Sequence, residues 1–214
     1  VPRHWQVDAF RELGAHTHVA AGLLEMVGLV VPQRLAVAQH LLPVAEAPRE
    51  VHRLQLDLIA VARLHLGEKT VVEIGISGDF DKARFGVIFI HGRNGDRRLG
   101  MDDFRFGGNF NRIKNLAARN GGVYIAPSVK AFGASGVADV QAIISEFRRR
   151  NPGAPVVLAC GSMGSIVCLS LARDPSAVSN LAGMVLLGGM PDPDFSSSAL
   201  VKAGVPVTFV HGSN

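Results

Sequence analysis

The chain has 214 residues, 48% hydrophobic and 19% charged, with a net charge of +4 and a pI near 9.5. That length suits one domain with a sizeable core, and a mean hydropathy of +0.24 excludes an intrinsically disordered chain. The basic residues are scattered, apart from Arg148-Arg149-Arg150, and few aromatics accompany them, which argues against a nucleic-acid partner; no apolar run reaches the roughly 18 residues of a membrane span.

In chain order, Phe10–Leu42 has helix-like apolar spacing interrupted by Pro32 and ended before Pro43, so residues 1–54 read as a helical segment of unassigned role. Its longest apolar run, Val19–Val31, carries Glu25. Six of the eight histidines fall within residues 1–65, including the pair His16-x-His18. A pair of histidines falls short of a full ligand set, so the histidines read as solvated or packing groups and no metal site is expected. Residue 1 is valine, so an export signal, if the protein has one, has been removed or lies outside this sequence; the chain reads as soluble, either cytoplasmic or exported, with the compartment undetermined.

From residue 55 to residue 214 strand and helix patterns alternate, which predicts an α/β core: a mostly parallel central sheet with helices on both faces. Leu56–Leu66 and Thr70–Phe80 read as an antiparallel hairpin. The apolar run Phe85–His91 predicts a central strand. A helix is expected near Asn109–Asn120, stopped by Gly121, and a strand over Val123–Pro127. Val137–Arg149 has Val140, Ile143, Ile144 and Phe147 at helical spacing, and the three arginines at its end suit the negative pole of the helix dipole. Strands are expected over Pro155–Ala159, Leu181–Leu187 and Pro206–His211, with a helix over Met163–Arg173. Two glycine clusters, Gly107-Gly108-Asn109-Phe110 and Gly133–Gly136, lie at the carboxyl side of strands, where ligands bind in open α/β sheets; they read more readily as helix entries, with Asn109 a candidate N-cap, than as walls of a substrate cleft.

The segment Cys160-Gly-Ser-Met-Gly164 lies between a buried strand and a helix opened by small residues. That is the setting of a nucleophile elbow, in which a serine hydroxyl is lifted above the sheet on a tight corner. Gly161 and Gly164 are expected to sit where side chains would clash. The position two before the serine, often glycine, holds Cys160. Cys160 and Cys168 lie in apolar surroundings and read as buried thiols. The turn Ile90-His91-Gly92-Arg93-Asn94 ends the central strand, where an oxyanion hole draws one of its main-chain N–H donors. By itself it reads as a glycine turn braced by His91. Together with the serine corner it points to Met163 and Arg93 N–H (or Gly92 N–H) as oxyanion donors, with His91 and Asn94 as substrate contacts.

In these residues and in strand order, positions 55–214 resemble the α/β-hydrolase family. The resemblance implies a serine hydrolase or esterase acting on a small-molecule acyl or ester substrate through an acyl-enzyme on Ser162, without a cofactor. It also implies an acid just after the strand that ends near His211 and a histidine after a later strand, both past Asn214, so that the last strand and helix of the fold are absent. Within the chain, Asp192 is the candidate acid, although Pro191-Asp-Pro-Asp194 also reads as a turn followed by an N-cap. His211 reads as structural and buried. Two other functions stay open: a non-catalytic binding or scaffold domain of the same fold, and a nucleotide-cofactor domain of methyltransferase type suggested by Val71–Gly78. The last needs a helix directly after its glycines, and Asp79–Gly86 leads into a strand instead. The oligomeric state is not legible.

Overall fold

The computed structural model describes residues 59–66, 70–102 and 109–211; the expected N-terminal helical segment, residues 1–54, lies outside them. Strands β1 (Ile59–Leu66) and β2 (Thr70–Ser77) form an antiparallel hairpin from Ile59↔Ser77 to Leu66↔Thr70. They are followed by β3 (Gly86–Ile90), helices α1 (Arg97–Met101) and α2 (Asn109–Arg119), β4 (Val123–Pro127), α3 (Ala134–Arg150) and β5 (Val156–Gly161). Helices α4 (Gly164–Arg173) and α5 (Pro175–Val178), β6 (Leu181–Leu187), a 3-10 turn (Phe195–Ser197), α6 (Ala199–Lys202) and β7 (Val207–Val210) complete the series.

The seven strands form one sheet in the order β1-β2-β4-β3-β5-β6-β7. β2 runs against both its neighbours, and every pairing from β4 to β7 is parallel. The central strands β3, β4 and β5 are buried along their whole length, because helices cover both faces and no side of the pleat meets water. Alternate residues of β3 feed opposite layers. Ile88 and Ile90 join Leu158, Val140, Ile143 and Phe147 under α3 and α4, whereas Val87 and Phe89 join Tyr124, Met101 and Ile113 under α1 and α2.

Several expected boundaries shift. Gly133 is the N-cap position of α3 and Ala134–Gly136 its first turn, so this cluster serves helix entry, and the helix starts three residues before the expected Val137; Gly107-Gly108 lies outside the described residues. The Val71–Gly78 stretch is strand β2, with Gly75 paired to Ala126 and Val61, and Gly78 (φ +100°) leads into a loop and then β3. No helix opens there, which removes the structural basis for a nucleotide-cofactor reading. His211 lies just past β7 and is exposed, where a buried residue was expected; β7 is at the sheet's edge among the described strands and its residues are only half-covered. Among the described residues no helix is long and apolar enough to cross a membrane.

Candidate functional site

The parallel sheet delivers the ends of β3 and β5 to one corner. β3 and β5 are in register from Gly86↔Val156 to Ile90↔Cys160, so His91-Gly92 and Gly161-Ser162 leave the sheet side by side. Ser162 has φ +49°, a left-handed conformation that costs a side-chain-bearing residue of order 1–3 kcal/mol unless its surroundings hold it. Those surroundings are specific: Ser162 N–H donates to Leu187 O at the end of β6 (2.8 Å), and Ser162 C=O accepts from Ser165 Oγ (2.6 Å). Helix α4 then begins at Gly164. Ser162 is exposed, and no hydrogen bond to its hydroxyl occurs among the described residues.

Close packing explains the glycine at 164. A Cβ there would lie 2.6 Å from both the Ile90 and His91 carbonyl oxygens, main-chain atoms that can shift only with the elements that carry them. Gly161 is different: a Cβ would meet nothing nearer than 3.8 Å, so the expected clash is absent at that position. The substitution of glycine by Cys160 is equally harmless, because its side chain points into the fully buried layer beneath α4.

The neighbouring turn is held by His91. The imidazole is 2% exposed; Nε2 accepts from Val129 N–H (3.0 Å), so Nδ1 carries the proton and donates to Gly92 O (2.7 Å). Phe132 packs edge-on to the ring at 5.9 Å. This corrects the reading of His91 as a substrate contact: both nitrogens are taken by main chain, and the residue braces the turn. Gly95 N–H closes the turn on Gly92 O (3.2 Å), with Asn94 at φ +59°, a conformation that asparagine tolerates. Asn94 and Arg93 are exposed. Gly92 faces the serine so closely that an added Cβ would stand 2.9 Å from Ser162 Cβ and 3.4 Å from Ser162 Oγ. Among the described residues, neither Met163 N–H nor Arg93 N–H donates to main chain.

The cations around this turn are not equivalent. Arg97 pairs with Glu73 (2.5 Å), and Arg98 with Asp96 (2.5 Å). Asp96 also caps α1 through Arg98 N–H, and the Arg98 side-chain hydrogen bond holds its carboxyl below the usual range. Asp192 is likewise committed: both its oxygens lie 2.6 Å from Arg173 Nη2, and Oδ1 accepts from Asp194 N–H. That engagement fixes the β6–α6 connection to α4. The expected N-cap at Asp194 makes no side-chain capping bond, whereas Ser198 caps α6.

Cys160 and Cys168 are fully buried and joined as a disulfide, with Cα atoms 6.4 Å apart. The expectation of two thiols is corrected: eight positions of sequence separate them, but the turn at Ser162 folds α4 back on β5 and brings them within bridging range. Ser165 and Arg173 carried no distinguishing signal in the sequence, apart from the run of small residues after Ser162. Among the described residues, no group of three or more His, Cys, Asp or Glu could hold a metal ion.

No family model matches the chain, and no curated protein sequence matches it. Solved structures similar to it include a Pyrococcus furiosus esterase, at 14% identity and TM-score 0.47, covering 63% of this chain and 53% of that one. Thermogutta terrifontis esterase 2 is 13% identical at TM-score 0.49, covering 72% and 81%. The thioesterase domain from the curacin biosynthetic pathway is 15% identical at TM-score 0.45, covering 68% and 50%. The chain spans about half the length of the first and third of these. In sheet order, in helices on both faces and in the tight turn after β5, the chain resembles the α/β hydrolases.

Proposed function

We propose that the protein is a serine hydrolase that cleaves an ester or related acyl bond of a small molecule through an acyl-enzyme on Ser162. The observation that carries this reading is the exposed Ser162 at φ +49°, set against the Gly92-Arg93 turn. Ser162 Oγ attacks the acyl carbon and loses its proton to a base; the carbonyl oxygen becomes an oxyanion; collapse expels the alcohol, and water then releases the acid. Met163 and Arg93 N–H groups, with Gly92 N–H as the alternative to Arg93, suit the oxyanion, and one such donor is worth about 3 kcal/mol in the transition state. No described histidine is bonded to Ser162 Oγ, and His91 and Asp192 are engaged elsewhere, so this reading takes its base and acid from outside the described residues. An unassisted serine hydroxyl is a weak nucleophile.

The absence of a histidine on Ser162 among the described residues favours a second reading, a non-catalytic binding or scaffold domain of the same fold. Intact-mass analysis after treatment with a fluorophosphonate separates the two. The hydrolase reading expects one adduct per chain, lost in Ser162→Ala. A folded protein that takes no adduct supports the scaffold.

A further inference from the structure

We propose that Ser165 is a positioning residue for Ser162, its buried hydroxyl tying the strained serine to the loop after β6; the inference rests on the hydrolase reading of the same site. Ser165 is 0% exposed, three residues into α4's approach from Ser162. Its Oγ donates to Ser162 O at 2.6 Å and accepts from Met190 N–H at 2.9 Å. A helix serine usually returns its hydroxyl to a carbonyl of its own preceding turn, as Ser170 does to Ile166 O at 2.8 Å. Ser165 makes that kind of bond to the carbonyl of the left-handed Ser162, where it joins Ser165 N–H (3.0 Å) on the same oxygen, and the two bonds together fix the peptide plane between Ser162 and Met163. The plane carries Met163 N–H, the proposed oxyanion donor, so its rotation would move the nucleophile and the donor together.

The other half of the clasp restrains the loop. Met190 is 50% exposed and lies on Gly188–Asp194, which is held to α4 at a second point by Asp192 and Arg173. Gly189 packs over Ser165, where an added Cβ would lie 3.1 Å from Ser165 Cβ. Ser162 N–H is meanwhile bonded to Leu187 O, one residue before that loop. The serine corner is therefore clamped on its N–H side by the end of β6 and on its C=O side through Ser165 by Met190. Removing the hydroxyl leaves Met190 N–H without its partner and Ser162 O held by Ser165 N–H alone (3.0 Å), so the plane loses the shorter of its two restraints and its tie to the loop.

The test compares wild type with Ser165→Ala, Ser170→Ala and Met190→Pro in the full chain, reading the fluorophosphonate labelling rate together with kcat and KM on p-nitrophenyl butyrate. Ser165→Ala is expected to lower the labelling rate and kcat about tenfold or more, with KM changed less than about threefold. Ser170→Ala is expected to label at the wild-type rate. Met190→Pro removes the second bond from an exposed position and should lower the same two rates by a smaller factor, which keeps the test alive if Ser165→Ala does not fold. A folded Ser165→Ala that labels within about twofold of wild type overturns the inference, as does an equal loss in Ser170→Ala, an effect confined to KM, or an undiminished rate in Met190→Pro. A wild-type protein that takes no label instead overturns the hydrolase reading, and this inference falls with it.

Discussion

Two glycines at the serine corner have different reasons for being glycine, and a methyl group distinguishes them. At Gly164 the added carbon meets the Ile90 and His91 carbonyl oxygens at 2.6 Å, so either β3 or α4 must move. Overpacking against main chain costs about 3 kcal/mol, and Gly164→Ala should lower the melting temperature by roughly 6–12 °C. At Gly92 the tightest approach is to Ser162 Cβ at 2.9 Å, on the reactive residue itself, and the main-chain contact, Gly161 O at 3.2 Å, is milder than those at Gly164. Gly92→Ala should therefore keep most of the stability and lose about a hundredfold in labelling rate, since small displacements of a reacting group carry that penalty. Calorimetry and labelling on both variants check the split; a Gly92→Ala protein that reacts normally would remove the turn from the site. The serine was legible because Gly-Ser-Met-Gly between a strand pattern and a helix pattern admits few other conformations. His91's role was not, since only the fold brings Val129 N–H to its ring.

Secondary-structure elements were read best where burial is one-sided. Val140, Ile143, Ile144 and Phe147 repeat at helical spacing and are all buried on one face of α3. The start of that helix was missed because Ala134-Ser-Gly136 lacks any apolar periodicity, and the glycines signal a loop more strongly than the sequence signals a first turn. The end of α3 holds a charge network that the sequence only hinted at. Arg149 and Arg150 both reach Glu146, and Arg150 also pairs with Asp81 while lying over Phe80 at 5.2 Å. The Arg149 hydrogen bond, assisted by Arg150, brings the Glu146 carboxyl down from 4.5 to about 2. A carboxyl with a depressed folded-state value stabilises the protein above its unfolded value, and that contribution fades as pH falls from about 4.5 toward 2. Glu146→Gln should thus be less stable than wild type at pH 7, by about 1 kcal/mol at most because Arg149 is exposed, and the two should converge near pH 2. Urea melts across that range measure the difference; a constant gap would place the effect in packing instead of charge.

At the scale of the whole molecule, the sheet separates two apolar layers, and the disulfide lies inside the one beneath α3 and α4. Sequence could not distinguish a bridge from two buried thiols there, because the decisive fact is a reversal of direction between β5 and α4 and not the spacing of the cysteines. The bridge closes a short loop that contains Ser162, Ser165 and Gly164, and loops of this kind contribute about 2–3 kcal/mol. Both sulfur-bearing residues are 0% exposed, so a reductant has no route to them while β5, α4 and the neighbouring strands stay packed. Reduction should therefore report opening of the core as a whole. The native protein is expected to release no thiol to iodoacetamide in mild dithiothreitol, to release two once urea and reductant are combined, and to be reduced at a rate that becomes independent of reductant concentration when opening limits it. Two thiols released within minutes from the folded protein, with its circular dichroism unchanged, would mean that the corner around Ser162 opens locally without the rest of the sheet.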